Sequence, residues 1–143
     1  MSLRILEDKR KFEFHSLDPK EKEKVVKLLL KALKGRKEVL LAVVFGGFVK
    51  SSIFRDIDIA VFTGYTIPYN KVEEYEEELS RNLEKLVELP VDVRVIDYAP
   101  PWFRIKALEG ITLVEKEPAL VARLKFKSQQ EIEDIKAKLR KIK

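Results

Sequence analysis

Cysteine is absent from the 143 residues, which excludes disulfide frameworks, thiolate metal sites and cysteine nucleophiles. The one histidine, His15, excludes any catalytic or zinc site that needs two imidazoles. No apolar run approaches the roughly 20 residues that cross a bilayer, and no signal-peptide pattern opens the chain. The expectation is a soluble, cytoplasmic protein with no membrane contact. Asn, Gln and Met are scarce beside abundant Lys and Glu, the balance of a thermophile protein, which bears on stability and not on activity.

What is present suffices for one ordinary domain with an appended segment. Hydrophobic residues make up 45% and supply a core, while charged residues at 37% supply the exterior. The formal charge of +5 invites a nucleic-acid or anionic-membrane reading. Its location argues against that reading. Residues 121–143 hold eight Lys or Arg against three Asp or Glu, whereas residues 1–120 hold 21 of each. The organisation expected is a body over residues 1–117 and a basic C-terminal helix over 118–143. A nucleic-acid role for that tail is the weakest of the readings considered.

Local patterns divide the body. Residues 1–17 are charged, with an apolar alternation at Phe12, Phe14 and Leu17 that suits an edge strand or a loosely held arm. Asp18, Pro19 and Glu21 make a capping box and helix start, and Val25, Val26, Leu29, Leu30 and Leu33 continue at helical spacing. Gly35 is expected to close this helix in a left-handed conformation. Residues 38–45 form a near-continuous apolar run, the pattern of a strand buried on both faces, ended by Gly46 and Gly47. A second strand follows from residue 56 or 57 to 62. Asn70 is expected to cap the next helix, with Val72, Tyr75, Leu79, Leu83 and Leu86 buried and Glu73, Glu74, Glu76, Glu77 and Glu78 solvated. Residues 91–95 alternate strictly as a half-buried strand. A short helix at 102–109, a strand at 111–115 and a long helix from Pro118 complete the order. Two strands joined by so few residues argue against a regular βαβ array, so the expected class is α+β, a small mixed sheet with helices packed on it.

The chemistry concentrates between residues 45 and 61. Asp56 and Asp58 stand two apart on a strand, so both side chains leave one face about 6–7 Å apart. Paired carboxylates on an apolar strand repel each other unless a cation compensates, and Mg²⁺, which takes oxygen ligands, meets that need. Alone, the short Asp-x-Asp pattern reads best as a surface strand end paired with basic residues. Three additions change the balance. Gly46 and Gly47 form a turn directly after a buried strand, where backbone amides approach phosphates. Lys50 follows as a mobile positive charge. Asp92 lies in an otherwise apolar strand, where a charge needs a partner, and would complete a three-carboxylate cluster if that strand lies beside the first pair.

The glycine pair, an eight-residue spacer, Asp-hydrophobic-Asp and a third aspartate on a later strand resemble the DNA polymerase β-type nucleotidyltransferase superfamily. Within it, the chain is most similar to the minimal nucleotidyltransferases, small prokaryotic proteins often partnered with a helical toxin of the HEPN type. The stretch Asp97-Tyr98-Ala99-Pro100-Pro101 after the third aspartate and the Gly110-initiated last strand add to the resemblance, which covers residues 39–116. It implies a polymerase β palm-like fold and transfer of a nucleoside monophosphate, AMP from ATP by default, to a protein or small-molecule acceptor with release of pyrophosphate. It implies Asp56, Asp58 and Asp92 as catalytic, metal-holding carboxylates for two Mg²⁺ ions. Gly46, Gly47, Lys50 and Ser51 are implied as the nucleotide-binding set. A HEPN-type helical protein is the implied partner.

Two features depart from the resembled pattern. Many members carry Ser in place of Gly47, and Arg-Gly in place of Lys50-Ser51. These departures, with the apolar seam at Val121, Leu124, Ser128, Ile132, Ile135, Leu139 and Ile142, motivate an alternative. In it the fold is a catalytically weak or inactive module that binds a HEPN-type protein. The seam's spacing of three or four residues also suits a homodimer or docking on the chain's own body. Arg94 is expected to pair with a carboxylate, Trp102 and Phe103 to pack in the core, and Tyr65 and Tyr69 to anchor a loop.

Overall fold

The structure is a computed structural model that describes residues 13–142. A four-stranded mixed sheet lies at its centre, built from β2 (Leu41–Phe45), β4 (Ile57–Phe62), β5 (Val91–Val95) and β6 (Ile111–Glu115) in the order β5-β4-β2-β6. β2 pairs antiparallel with β4 and with β6, while β4 and β5 run parallel. The α+β expectation therefore holds. The parallel pair is joined by α3 (Val72–Val87), because two parallel strands need a crossover long enough to return the chain to the same end. The apolar run is buried at every position of β2, as a central strand covered on both faces requires.

The two faces carry separate cores. On one, α1 (Pro19–Lys34) and α3 pack through Val25, Leu29, Leu33, Leu79 and Leu83 onto Val44, Ile57, Ile59 and Val93. On the other, α4 (Pro101–Leu108) and the start of α5 (Leu120–Arg140) cover Leu41, Val43, Phe45, Ala60 and Phe62. The first half of α5 thus packs against the chain's own body through Leu120 and Leu124, and Arg104 of α4 pairs with Glu131 at 2.5 Å. Beyond it Ile135, Leu139 and Ile142 stand exposed. Among the described residues, no helix is long and apolar enough to cross a membrane.

A short ribbon, β1 (His15–Ser16) against β3 (Ile53–Phe54), and a one-turn helix, α2 (Gly47–Lys50), lie between the main elements. Of the apolar alternation expected at the N-terminus, Phe12 lies outside the described residues; among the described residues of the arm, His15 and Ser16 form a strand.

Several local expectations are corrected. Gly35 closes α1 with φ −74°, in the right-handed region, because its N–H still reaches helix carbonyls without reversing the chain. Asn70 does not cap α3; it sits in a 3₁₀ turn, Tyr69–Lys71, that leads into the helix. The last helix begins at Leu120, not at Pro118, after Ala119 adopts a left-handed conformation. Trp102 is 62% exposed, on the outer side of α4, whereas Phe103 packs edge-on against Phe45.

Glu76 also departs from its expected solvated place. The Val91, Val93 and Val95 N–H groups donate to Glu84, Ser80 and Glu76 at 3.0, 3.0 and 2.7 Å. One helix face thereby satisfies the donors along the free edge of β5 and blunts that edge against further pairing. Burial raises the Glu76 carboxyl above its ordinary range, with the Val95 N–H acting in the opposite sense.

Candidate functional site

The parallel register of β4 and β5 sets Asp58 directly beside Asp92. Ile57, Ile59, Val91 and Val93 are buried on the opposite face, so strand alternation forces both aspartates outward on the same side. Asp56 stands just before β4. The three side chains are half-buried, and each offers a carboxylate oxygen within 4.8 Å of the others. The two strands thus bring together the three carboxylates expected from the sequence.

The electrostatics of this cluster are unfavourable without a cation. Burial pushes the Asp58 carboxyl up to about 7, and Asp56 and Asp92 push in the same direction. Arg94 and Lys106 act against the rise. Arg94 Nε donates to Asp92 Oδ2 at 3.3 Å, the expected carboxylate pairing, but the contact is largely exposed and screened. An all-oxygen donor set with mutual repulsion fits a hard divalent cation and not a soft metal. The residues present therefore suit Mg²⁺.

The glycine turn presses onto this cluster. Gly46 has φ +77°, and a Cβ there would collide with the Asp58 carboxylate, so no other residue fits without displacing the site. Gly47 opens α2 under no such demand: a Cβ would meet only Phe54 Cβ, at an ordinary 3.8 Å. Lys50 ends α2 and is exposed. The Ser51 hydroxyl accepts from the Ile53 N–H at 3.2 Å. Among the described residues, no hydrogen bond or ion pair joins Lys50 or Ser51 to Asp58 or Asp92. The structure thus gathers Gly46 with the carboxylates and leaves Lys50 and Ser51 at the far end of the turn.

Sequence reasoning missed two residues around this site and one at the far end of the β4–β5 pair. Lys106, on α4, reaches the field of Asp58 only because α4 packs over the sheet, and no local signal announces it. Lys22 ties α1 to α2, with its ammonium donating to the carbonyls of Phe48 and Ser51. A signal existed, since Lys22 precedes Val25, Leu29 and Leu33 at helical spacing on the buried stripe. Asp97, buried past the far end of β5, accepts from the N–H groups of Thr63 and Tyr65. It fixes the loop in which Tyr65, Tyr69 and Tyr98 pack edge-on, the anchoring expected of Tyr65 and Tyr69.

Comparison with known proteins bears on the fold and the family. No curated protein matches the sequence. Solved structures do. A MntA-HepT toxin-antitoxin structure matches at 20% identity and a TM-score of 0.60, over 87% of this chain and 95% of that one. A toxin-antitoxin structure with AMP-PNP matches at 20% identity and TM-score 0.64, covering 85% and 94%. An MNT antitoxin in complex with a tri-AMPylated HEPN toxin from Shewanella oneidensis matches at 20% identity and TM-score 0.60, covering 85% and 92%. At this identity the matches show a shared fold. Residues 27–119 match the family described as Polymerase beta, Nucleotidyltransferase, a span that holds the glycine turn, all three aspartates and the whole sheet. With that span accounting for most of the chain, the protein belongs to the polymerase β nucleotidyltransferase family.

Proposed function

We propose that the chain transfers AMP from ATP to an acceptor on a helical HEPN-type partner, and that it serves as that partner's antitoxin. One observation carries the reading: three carboxylates from β4, β5 and the residue before β4 converge beside Gly46, where the Asp58 carboxylate leaves no room for a side chain. The likeness to antitoxin structures, one beside an AMPylated toxin and one with AMP-PNP, supports the choice of nucleotide and acceptor.

In this reading Asp56, Asp58 and Asp92 hold Mg²⁺, two ions when the site is full. When bound, the ions neutralise charge on the phosphate oxygens. Gly46 and Gly47 present backbone amides to the triphosphate, and Lys50 and Ser51 assist from the end of the turn. The acceptor oxygen bonds to the α-phosphorus, the bond from that phosphorus to the bridging oxygen breaks, and pyrophosphate leaves. Asp92 takes the acceptor's proton. The protein's contribution is positioning and charge neutralisation. The exposed Ile135, Leu139 and Ile142 offer a contact stripe for the partner or a second copy. The reading assumes a cytoplasmic, heat-adapted protein and needs no nucleic acid.

The test is incubation with labelled ATP, Mg²⁺ and a HEPN-type protein. Label on the partner and free pyrophosphate are expected, both lost in an Asp56→Asn/Asp58→Asn double variant. Undiminished transfer by that variant overturns the proposal.

A further inference from the structure

We propose that Lys22 is a positioning residue for the nucleotide-binding segment 46–51, an inference that rests on the nucleotidyl-transfer reading above. The segment is weakly held by its own backbone. Val49 and Lys50 N–H groups bond the Gly46 carbonyl at 3.1 and 3.2 Å, and the Ser51 N–H bonds Gly47 at 2.9 Å. Four helical residues do not sustain themselves in water, so an external tie decides how firmly the turn stands.

Lys22 provides that tie. Its ammonium donates to the Phe48 carbonyl at 2.6 Å and to the Ser51 carbonyl at 2.5 Å, 26 and 29 residues away. It also lies 5.0 Å from the Phe48 ring centroid and 5.7 Å from that of Phe54. Charge-assisted bonds to carbonyls are stronger than neutral ones, and the ring faces add attraction for the cation. Among the described residues Lys22 forms no ion pair, so its charge is directed to the backbone of this one segment.

The base of the tie is rigid. Val25, Leu29 and Leu33 anchor α1 in the core on the same stripe as Lys22. On the other side of the segment, Phe48 and Phe54 pack edge-on at 4.9 Å, and β3 pairs with β1. Gly46 leaves β2 directly above Asp58, so any drift of residues 48–51 moves the turn relative to the carboxylates. The geometry gives Lys22 a role through the segment it holds, by way of the Phe48 and Ser51 carbonyls.

The experiment compares the unsubstituted protein with Lys22→Met, which keeps the stem and removes the charge, and with Lys22→Arg. Lys22→Gln replaces the Met variant if the latter does not fold. Amide exchange at Val49, Lys50 and Ser51 in the ligand-free protein is expected to quicken about tenfold in Lys22→Met. Its Kd for a non-hydrolysable ATP analogue with Mg²⁺ is expected to rise about tenfold, with Lys22→Arg restoring most of the loss. Unchanged exchange overturns the tie, and faster exchange with unchanged Kd overturns the positioning role. Absence of Mg²⁺-dependent binding by the unsubstituted protein is a separate result that overturns the nucleotidyl-transfer reading itself.

Discussion

Two aspartates near opposite ends of the β4–β5 pair have opposite surroundings. Asp97 is only 3% exposed, yet it accepts from the Thr63 N–H at 3.0 Å, the Thr63 hydroxyl at 3.0 Å and the Tyr65 N–H at 2.7 Å. Asp58 is less buried, yet burial, reinforced by the neighbouring Asp56 and Asp92, pushes its carboxyl up to about 7. Burial alone therefore does not mark a reactive carboxylate. A buried carboxylate supplied with donors holds structure together; one surrounded by its own kind requires a cation. Asp97 locks a loop, and Asp58 opens a site.

That contrast can be broken by paired substitutions. The largest effect expected is on transfer: Asp58→Asn lowers kcat/KM by about a hundredfold or more, measured as pyrophosphate release. Asp97→Asn, in contrast, lowers unfolding free energy by about 2–3 kcal/mol because an amide is set against amide donors, measured by urea unfolding. Equal loss of transfer in the two folded variants would erase the distinction.

A pH titration sharpens it. Asp58 has its folded pKa above the ordinary 3.8, so the folded state holds the extra proton between about 4 and about 7. Its stabilising contribution is complete below pH 4 and is lost as pH rises through 7. The melting temperature of ligand-free protein is expected to fall across that window relative to Asp58→Asn, by a few degrees, roughly 2–5 °C. Added Mg²⁺ is expected to narrow the difference by binding the folded protein of the unsubstituted chain.

The smallest effect concerns the second of the two glycines. Gly46→Ala forces a Cβ into the Asp58 carboxylate at a positive φ and is expected to remove Mg²⁺-dependent nucleotide binding. Gly47→Ala meets only ordinary contact and is expected to change stability by about 0.5 kcal/mol or less. Calorimetric titration of both variants separates a glycine required by the site from one that is merely tolerated.

Much of this was legible before the fold was known. Val91–Val95 alternates in burial as its sequence alternates, and Leu41–Phe45 is buried throughout, as its unbroken apolar run requires. The order Gly46-Gly47, Asp56, Asp58, Asp92 marked the candidate site through its resemblance to the nucleotidyltransferase pattern. Among what failed, Gly35, Asn70 and the start of α5 are helix ends, where competing caps differ by about 1 kcal/mol or less. Leu86, expected in the buried stripe of α3, stands exposed while Val87 takes the buried place. Trp102 failed for another reason. Its hydrophobicity favours burial, but α4 turns its other side to the sheet through Ala107 and Leu108.

The sequence by itself determined the alternation of elements and the mixed α+β class, because periodicity and backbone preference act over a few residues. Only the tertiary structure decided that Asp92 stands beside Asp58, since that depends on the parallel register of strands joined through α3. It also decided that Lys22 and Lys106 approach the site, and that Glu76, Ser80 and Glu84 guard the edge of β5. These are contacts between residues distant along the chain. Each depends on how whole elements pack, and no window of neighbouring residues carries that information.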